Sequence, residues 1–405
     1  MEIKKRRFKS LINAALIILI AVIVNANYRP IQEKIHIGIY WVYEHNETVG
    51  DALFAVNRII FNGTKFDRER LTKHAIYKSY PSVVLISTQS AVPGNFGGGT
   101  GTGFFIKVND TDAYIVTNNH VIGQAYVSPA LWNVTVNTAT DMWSYEAEII
   151  GVDEVSDIAV LKILKKDNEE WEAMEWETST TVGVGSPITV LGHGMSLPWT
   201  ATSGIISYNG RFGSRPYNLM LQIDAVINQG NSGGPVLSSS GKVIGIAQSI
   251  LSPGRSIPGW DGVGMAVSSE QAQRSIKYIL SPQYVSKGYV PYARYPFNLG
   301  TFTVDDVKDI PEKDRYYSYF DYTSQEDDAT VTIGQESGLL QGDILLKLNG
   351  EDVRTGWAIM KKIVVAFPGD EWTVTVKRED KILDIVVVLR EMDRKELLAS
   401  FNRGR

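Results

Sequence analysis

Three side-chain types that together perform acyl transfer, a hydroxyl, an imidazole and a carboxylate, stand in suggestive settings in this chain. The hydroxyl is Ser232, within Gly230-Asn231-Ser232-Gly233-Gly234-Pro235. Glycine on both sides lets the backbone turn sharply and brings main-chain N–H groups close to a substrate carbonyl. A nucleophile needs that geometry, with N–H donors aimed at the oxyanion that develops beside it. An ordinary Gly/Ser turn is the competing reading. Chain order narrows the chemistry. The five histidines are His36, His45, His74, His120 and His193, all before Ser232. An order with histidine after the serine is therefore excluded, although the stretch fits G-x-S-x-G. The order His, Asp, Ser stays open. The order Asp, His, Ser is formally possible, but nothing before His120 reads as a strand-borne aspartate.

His120 ends the apolar run Tyr114-Ile115-Val116-Thr117-Asn118-Asn119-His120, so its imidazole falls where a strand gives way to a turn. A lone histidine is more often structural than catalytic. Asp157 opens Asp157-Ile158-Ala159-Val160-Leu161-Lys162 at another strand boundary, where its carboxylate could accept from an imidazole Nδ1–H. A turn cap is the alternative, and Asp153 and Asp141 remain rivals.

Thr117-Asn118-Asn119-His120-Val121, Ser156-Asp157-Ile158-Ala159-Val160-Leu161 and Gly230–Pro235 resemble, in the right order, the three catalytic motifs of HtrA-type (Deg) serine proteases. Gly101-Thr102-Gly103-Phe104-Phe105, Thr202–Ser207 and Gln222–Asn228 add further similarity, which runs from about Ser82 to Leu280. The resemblance implies a mostly β fold, a chymotrypsin-like double β-barrel protease domain. It implies Ser232 as nucleophile, His120 as general base and later acid, and Asp157 as holder of the imidazole tautomer. The N–H groups of Gly230 and Ser232 would form the oxyanion hole. Asn231 replaces the aspartate that many digestive proteases carry before the serine, so activation by simple N-terminal cleavage is not expected. Residues 225–230 and 249–262 occupy the positions of loops that order on ligand binding in the family. A homotrimer is implied by resemblance alone.

The primary pocket wall should include Val226 and Ile227, near the position that carries an aspartate in trypsin-like enzymes. No charge sits there, which predicts cleavage after small or medium aliphatic residues. Asp224 lies two residues too early and is read as structural.

These residues need a frame. Short strands are expected at 82–88, 101–107, 113–118, 132–138, 143–152 and 157–163, and again at 187–191, 202–209, 219–224, 235–238, 242–251 and 263–267. Two groups of strands suit two packed barrels. His120 and Asp157 come from the first group and Ser232 from the second, so the site would form in the cleft between them. Gly97–Gly103 lacks both G-x-G-x-x-G spacing and a Walker lysine, and reads as a flexible approach to a strand. Ser268-Ser269-Glu270-Gln271 is a capping-box pattern that starts a helix over 269–280 and closes a protease domain at 81–280. Residues 281–296 read as a linker.

Ser337-Gly338-Leu339-Leu340-Gln341-Gly342-Asp343-Ile344-Leu345 and the following Asn349-Gly350 are similar to the diagnostic segment of PDZ domains, giving a small α+β module over 297–395, with a helix at 356–366 and a strand at 372–377. The similarity implies binding of C-terminal peptides by strand addition. Leu299, Gly300 and Thr301 occupy the place of the carboxylate loop, while an acidic, tyrosine-rich insertion at about 311–328 departs from the pattern. Residues 396–405 form a tail.

At the other end, 1–28 combines a basic cluster with an uncharged apolar stretch at 10–28, long enough to span a bilayer with the N-terminus cytoplasmic. A retained hydrophobic helix is preferred over a signal peptide cut near Val24-Asn25-Ala26. Both place the catalytic domain outside the cytoplasm. Residues 29–80 form an extension, with a helix over 49–61 and an aromatic run at Tyr40–Tyr43 that could meet the membrane interface. The net charge of −5, with five basic residues in the first nine, leaves an acidic remainder and argues against nucleic acid. No cysteine is present, which removes thiol nucleophiles, disulfides and thiolate zinc sites. No metal or other cofactor is expected. The function these readings imply is an ATP-independent serine endopeptidase acting on unfolded, partly unfolded or regulatory proteins. A chaperone or adaptor on a protease scaffold is the alternative.

Overall fold

The computed structural model describes residues 73, 76–139, 144–166, 169–194, 199–212, 217–248, 263–294, 299–300, 319–320, 329–353 and 356–400. All of these except Lys73 belong to one compact unit, His74–Arg405. The apolar segment 10–28, the helix at 49–61 and the aromatic run at Tyr40–Tyr43 lie outside the described residues. Among the described residues no helix is long and apolar enough to cross a membrane.

The first group of strands is β1 (Val83–Ser90), β2 (Gly98–Val108), β3 (Asp112–Asn118), β4 (Trp132–Thr138), β5 (Ser144–Glu146), β6 (Glu148–Asp153) and β7 (Ile158–Leu164). They form a seven-stranded antiparallel sheet in the order β5-β4-β1-β2-β3-β7-β6. The sequence pattern reads 143–152 as one strand, but the structure breaks it at Ala147. Its N–H still donates to the Val134 carbonyl of β4 at 3.0 Å, and from Glu148 onward the chain pairs with β7 instead. The two edge strands are thus consecutive in the chain, and the sheet is rolled back on itself around Val84, Ile86, Phe105, Ile115, Val136 and Leu161.

The second group is β8 (Pro187–Gly192), β9 (Thr200–Phe212), β10 (Leu219–Ile223), β11 (Pro235–Ser238), β12 (Val243–Gln248) and β13 (Gly264–Ser268). It closes as a barrel in the order β10-β13-β12-β11-β8-β9. Its interior holds Val190, Ile206, Leu221, Ile223, Val236 and Ile244. Closure leaves no open edge to pair with other chains.

Between β3 and β4 the chain forms α1 (Asn119–Val127), where the Asn118-Asn119 pair reads in sequence as a turn. After β13, α2 (Ser269–Ile279) starts as the capping-box pattern predicts, with the Ser268 hydroxyl accepting from the Gln271 amide. Residues 281–294 of the segment read as a linker contain α3 (Pro282–Lys287) and then Tyr292, which is fully buried.

The C-terminal module consists of β14 (Leu299–Gly300), β15 (Tyr319–Phe320), α4 (Ala329–Glu336), β16 (Ile344–Leu348), β17 (Glu351–Asp352), α5 (Gly356–Ile363), β18 (Glu371–Arg378), β19 (Lys381–Val388) and α6 (Arg394–Ser400). Its strands run β14-β15-β16-β18-β19, with β17 paired to β16. Arg274 of α2 ties this module to the barrels. Its guanidinium lies 4.3 Å from the Tyr292 ring centroid and 4.2 Å from that of Phe367, and donates to the carbonyls of Ala366 (2.9 Å) and Pro291 (2.6 Å). These bonds and ring contacts offset part of the cost of burying a guanidinium, whose Nη1 has no partner among the described residues.

Candidate active site

Asp157 sits in the turn between β6 and β7 with φ +60°, a left-handed conformation in which Asp and Asn are the least strained ordinary residues. The junction of β3 and α1 grips it. Asn118 Nδ2 and the Asn119 amide each donate to the Asp157 carbonyl at 3.0 Å. The His120 amide donates to Asp157 Oδ1 at 2.9 Å. The first amides of a helix have no partner within it, so a carboxylate from a neighbouring turn satisfies one of them. His120 is the second residue of α1, and this grip aims its ring so that Nδ1 lies 2.7 Å from Asp157 Oδ2. The carboxylate is nearly sealed from solvent, at 1% exposure, while the imidazole is 39% exposed and faces the crevice.

A third donor completes the carboxylate. Gln248, the last residue of β12, donates from Nε2 to Asp157 Oδ2 at 2.6 Å. Burial alone would raise the Asp157 carboxyl, but the donors from His120 and Gln248 outweigh it and hold the group below the ordinary carboxylate range. An imidazole whose Nδ1–H is held by an ionised carboxylate presents Nε2 as a proton acceptor.

The rival carboxylates are placed elsewhere. Asp153 is buried and its Oδ2 accepts from the hydroxyls of Ser156, Ser275 and Tyr292 at 2.6–2.7 Å, which makes it a joint between the first sheet, α2 and the segment after α3. Asp141 lies outside the described residues.

Ser232 occupies the loop between β10 and β11, and its main chain is anchored on both sides of the crevice. The Thr102 amide donates to the Ser232 carbonyl at 2.8 Å. Gly233 N–H donates to the Ala247 carbonyl at 2.9 Å, so the strand end that supplies Gln248 also holds the serine loop. Gly101 lies between the two halves. A Cβ there would stand 2.6 Å from Val121 Cγ1, next to His120, and 3.3 Å from the Ser232 carbonyl. Gly101 thus bridges the neighbourhood of His120 and the Ser232 main chain, while the His–Asp pair is directly bonded. Among the described residues the Ser232 hydroxyl makes no hydrogen bond to the imidazole.

The turn itself requires glycine. Gly230 (φ +100°) and Gly233 (φ +86°) would each place a Cβ 2.1–2.3 Å from main-chain oxygens of His193 and Thr102. The amides of Asn231, Gly233 and Gly234 bond within the fold, whereas those of Gly230 and Ser232 donate to no described acceptor. Two unused N–H groups flanking a serine are what an oxyanion would engage. Asn231 is buried, its Oδ1 packed where Cβ atoms on Gly192 or Gly194 would come within 2.8 Å.

His193, behind this turn, is fully buried, and its burial pushes the imidazole down to about 4 from 6.5. The unfolded chain binds a proton near pH 6.5 and the native ring resists it. The resulting stability is fully present above that pH and is lost as pH falls towards 4, by about 3 kcal/mol. Urea unfolding at pH 7 and pH 4.5 checks this: wild type should lose markedly more stability than His193→Asn, and equal losses would rule it out.

Of the expected pocket residues, Val226 is exposed and its carbonyl accepts from the Thr202 hydroxyl at 2.9 Å. Ile227 is buried in the second barrel, its Cδ1 lying 3.0 Å from where a Cβ on Gly264 would stand. Asp224 accepts from the Ile205 amide at 2.5 Å, in keeping with a structural place. Leu299 and Gly300 form β14, paired with Phe320 and Tyr319, while Thr301 lies outside the described residues. Sequence reasoning missed Gln248, Thr102 and His193 as parts of this site. Thr102 stands inside a quoted motif, but nothing local marks its hydroxyl. Among the described residues no group of three or more His, Cys, Asp or Glu is placed to hold a metal.

Comparison with known proteins agrees with this architecture. Residues 101–246 match the trypsin-like peptidase domain and residues 329–389 match the PDZ domain. A probable periplasmic serine endoprotease DegP-like of Rhizobium meliloti is 32% identical over 282 residues, covering 69% of this chain and 51% of the relative. The protein of the same description from Brucella suis is 32% identical over 296 residues, covering 72% and 52%. The chain thus spans about half the length of the curated relatives it matches. Among solved structures, the HtrA-type protease AlgW with tripeptide superposes with a TM-score of 0.59 at 22% identity, covering 79% of this chain and 97% of that one. AlgW with decapeptide gives 0.55 at the same identity, covering 79% and 98%. At that identity the likeness is one of fold.

Proposed function

A trypsin-like peptidase domain followed by one PDZ domain makes this chain a member of the HtrA/Deg type, and from that premise we propose that it is a serine endopeptidase working through Ser232, His120 and Asp157. The observation that carries the reading is the His120–Asp157 pair, bonded twice, with its carboxylate sealed and its imidazole open to solvent. His120 Nε2 takes the Ser232 Oγ proton as Oγ attacks the scissile carbonyl. The oxyanion of the tetrahedral intermediate is received by the amides of Gly230 and Ser232. The imidazolium, steadied by Asp157, then protonates the leaving amine, and water resolves the acyl-enzyme by the same route.

The substrates are unfolded, partly unfolded or regulatory proteins outside the cytoplasm. Relatives described as periplasmic support that place, and the apolar segment 10–28 would anchor the chain to the membrane. The PDZ module takes C-terminal peptides, a reading supported by the peptides that accompany the solved AlgW structures. The assembled form is a homotrimer. With Val226 and Ile227 uncharged and Asp224 engaged on the Ile205 amide, cleavage falls after small or medium aliphatic residues.

A second reading, a binding protein on a protease scaffold, is favoured by one observation: the Ser232 hydroxyl lacks a hydrogen bond to the imidazole among the described residues. A fluorophosphonate probe on the full chain, with and without C-terminal peptides, separates the two. Labelling mapped to Ser232, with casein cut after aliphatic residues, is expected. No labelling under any condition favours the binding protein, and cuts chiefly after Lys or Arg refute the pocket.

A further inference from the structure

The turn that carries Ser232 is held from behind by a connected set of hydrogen bonds among the described residues. The Thr102 hydroxyl donates to the Gly230 carbonyl at 2.6 Å. The same oxygen accepts from the His193 amide at 3.0 Å and lies 3.1 Å from His193 Nδ1. A hydroxyl has one proton and two lone pairs. Its proton goes to Gly230, because a carbonyl can only accept. One lone pair receives the His193 amide. The other faces Nδ1, so Nδ1 must carry the ring hydrogen and Nε2 must be bare. In keeping with that assignment, Nε2 is buried with no partner among the described residues, and the ring meets Trp199 at 4.6 Å between centroids.

The main chain of His193 adds to this hold. Gly230 sits so close to it that a Cβ would stand 2.3 Å from the His193 carbonyl oxygen. Gly230, at φ +100° and without a side chain, has a freedom to rotate that any other residue type would lack. Rotation of the peptide that follows it would swing its carbonyl off Thr102 and break the bond from the Asn231 amide to the Asn228 carbonyl, loosening the turn that sets the Gly230 and Ser232 amides. The only described side chain that donates to that carbonyl is Thr102, and His193 orients the Thr102 hydroxyl by occupying both of its lone pairs.

We propose that His193, as the Nδ1–H tautomer, is a positioning residue for the oxyanion turn, acting through the Thr102 hydroxyl to keep the Gly230 carbonyl on the inner side of the loop. The inference rests on the proteolytic reading above. His193→Leu keeps the bulk but removes the donor, freeing the Thr102 hydroxyl to turn away. The kcat should fall about 10- to 100-fold with KM within about twofold, because the loss is felt where oxyanion charge develops. His193→Asn places an amide donor near the lost Nδ1 and should recover most of that loss. Thr102→Val should reproduce it, and the double variant Thr102→Val/His193→Leu should be no worse than the poorer single variant, as for groups acting in one chain. Equal kcat in the Leu and Asn variants, or additive losses in the double variant, would overturn the proposal while wild type still labels at Ser232. If wild type does not label, the proposal falls together with the proteolytic reading.

A readout independent of turnover guards against variants that merely fold poorly. In the full chain with 15N-labelled histidine, the His193 resonances, assigned by their loss in His193→Asn, should report a protonated Nδ1 and a bare Nε2 from pH 7 down to pH 5. The Nε2–H tautomer would sink the idea whatever the activity.

Discussion

Ser232→Ala should lose peptide-bond hydrolysis by a factor on the order of a million in kcat while folding as well as wild type. The two halves of that expectation have separate causes. The chemical half follows from removing the only atom placed to form the acyl bond, since neither His120 nor Asp157 can substitute for it. The structural half follows from where Ser232 is held. Its anchors are main-chain bonds, from the Thr102 amide to its carbonyl and from Gly233 to Ala247, and its Oγ has no bond within the described residues whose loss would cost stability. A small hydroxyl exchanged for a methyl hydrogen in such a place changes stability by well under the cost of an orphaned partner. Casein and peptide hydrolysis, measured beside thermal unfolding of both proteins, tests it. A variant that keeps more than about a hundredth of wild-type activity would remove Ser232 from the mechanism. One that is inactive but still captures unfolded protein would show that holding and cutting are separable in this chain.

The sequence made the chemistry legible where the motif is contiguous and hid it where the contact is long-range. Gly230 and Gly233 announce a turn because only glycine tolerates their φ values and the oxygens crowding their Cβ positions. Asp157 could be singled out from Asp153 only by resemblance. The structure separates them by partners: three hydroxyls for Asp153, an imidazole and an amide for Asp157. The helix α1 was not visible, because Asn118-Asn119 has turn chemistry. In the structure the Asn118 side chain leaves the helix start uncapped and reaches across to the Asp157 carbonyl instead. The break at Ala147 was invisible for the opposite reason, since the alternating pattern runs through it and only the ladder partners change, from β4 to β7. Gln248 is a polar residue at a strand end, and such residues normally face water. Its role depends on closure of the second barrel, which brings β12 against the first sheet.

Asp157→Asn should lower kcat about ten-thousandfold while leaving the fold intact, and the geometry says why so small a change should be so costly. Asn is the ordinary residue best suited to φ +60°, so the backbone of the β6–β7 turn needs no adjustment. The amide oxygen can take the place of Oδ1 and still accept from the His120 N–H. The NH2 group then falls at Oδ2, where it meets two donors, His120 Nδ1–H and Gln248 Nε2. Donor facing donor is repulsive, and relief comes most simply if the imidazole moves its proton to Nε2 and accepts at Nδ1. A ring in that tautomer points a hydrogen at Ser232 and cannot take one from it. The lost charge matters as well, because a buried carboxylate held below its ordinary range stabilises the imidazolium formed during attack. If Gln248 is the second half of the conflict, Gln248→Glu in the Asp157→Asn background supplies an acceptor for the new NH2 group but gives the imidazole nothing, so activity should stay low. An Asp157→Asn protein that cleaves casein within tenfold of wild type at pH 7 would show that the carboxylate only shapes the turn, and the relay would have to be redrawn without it.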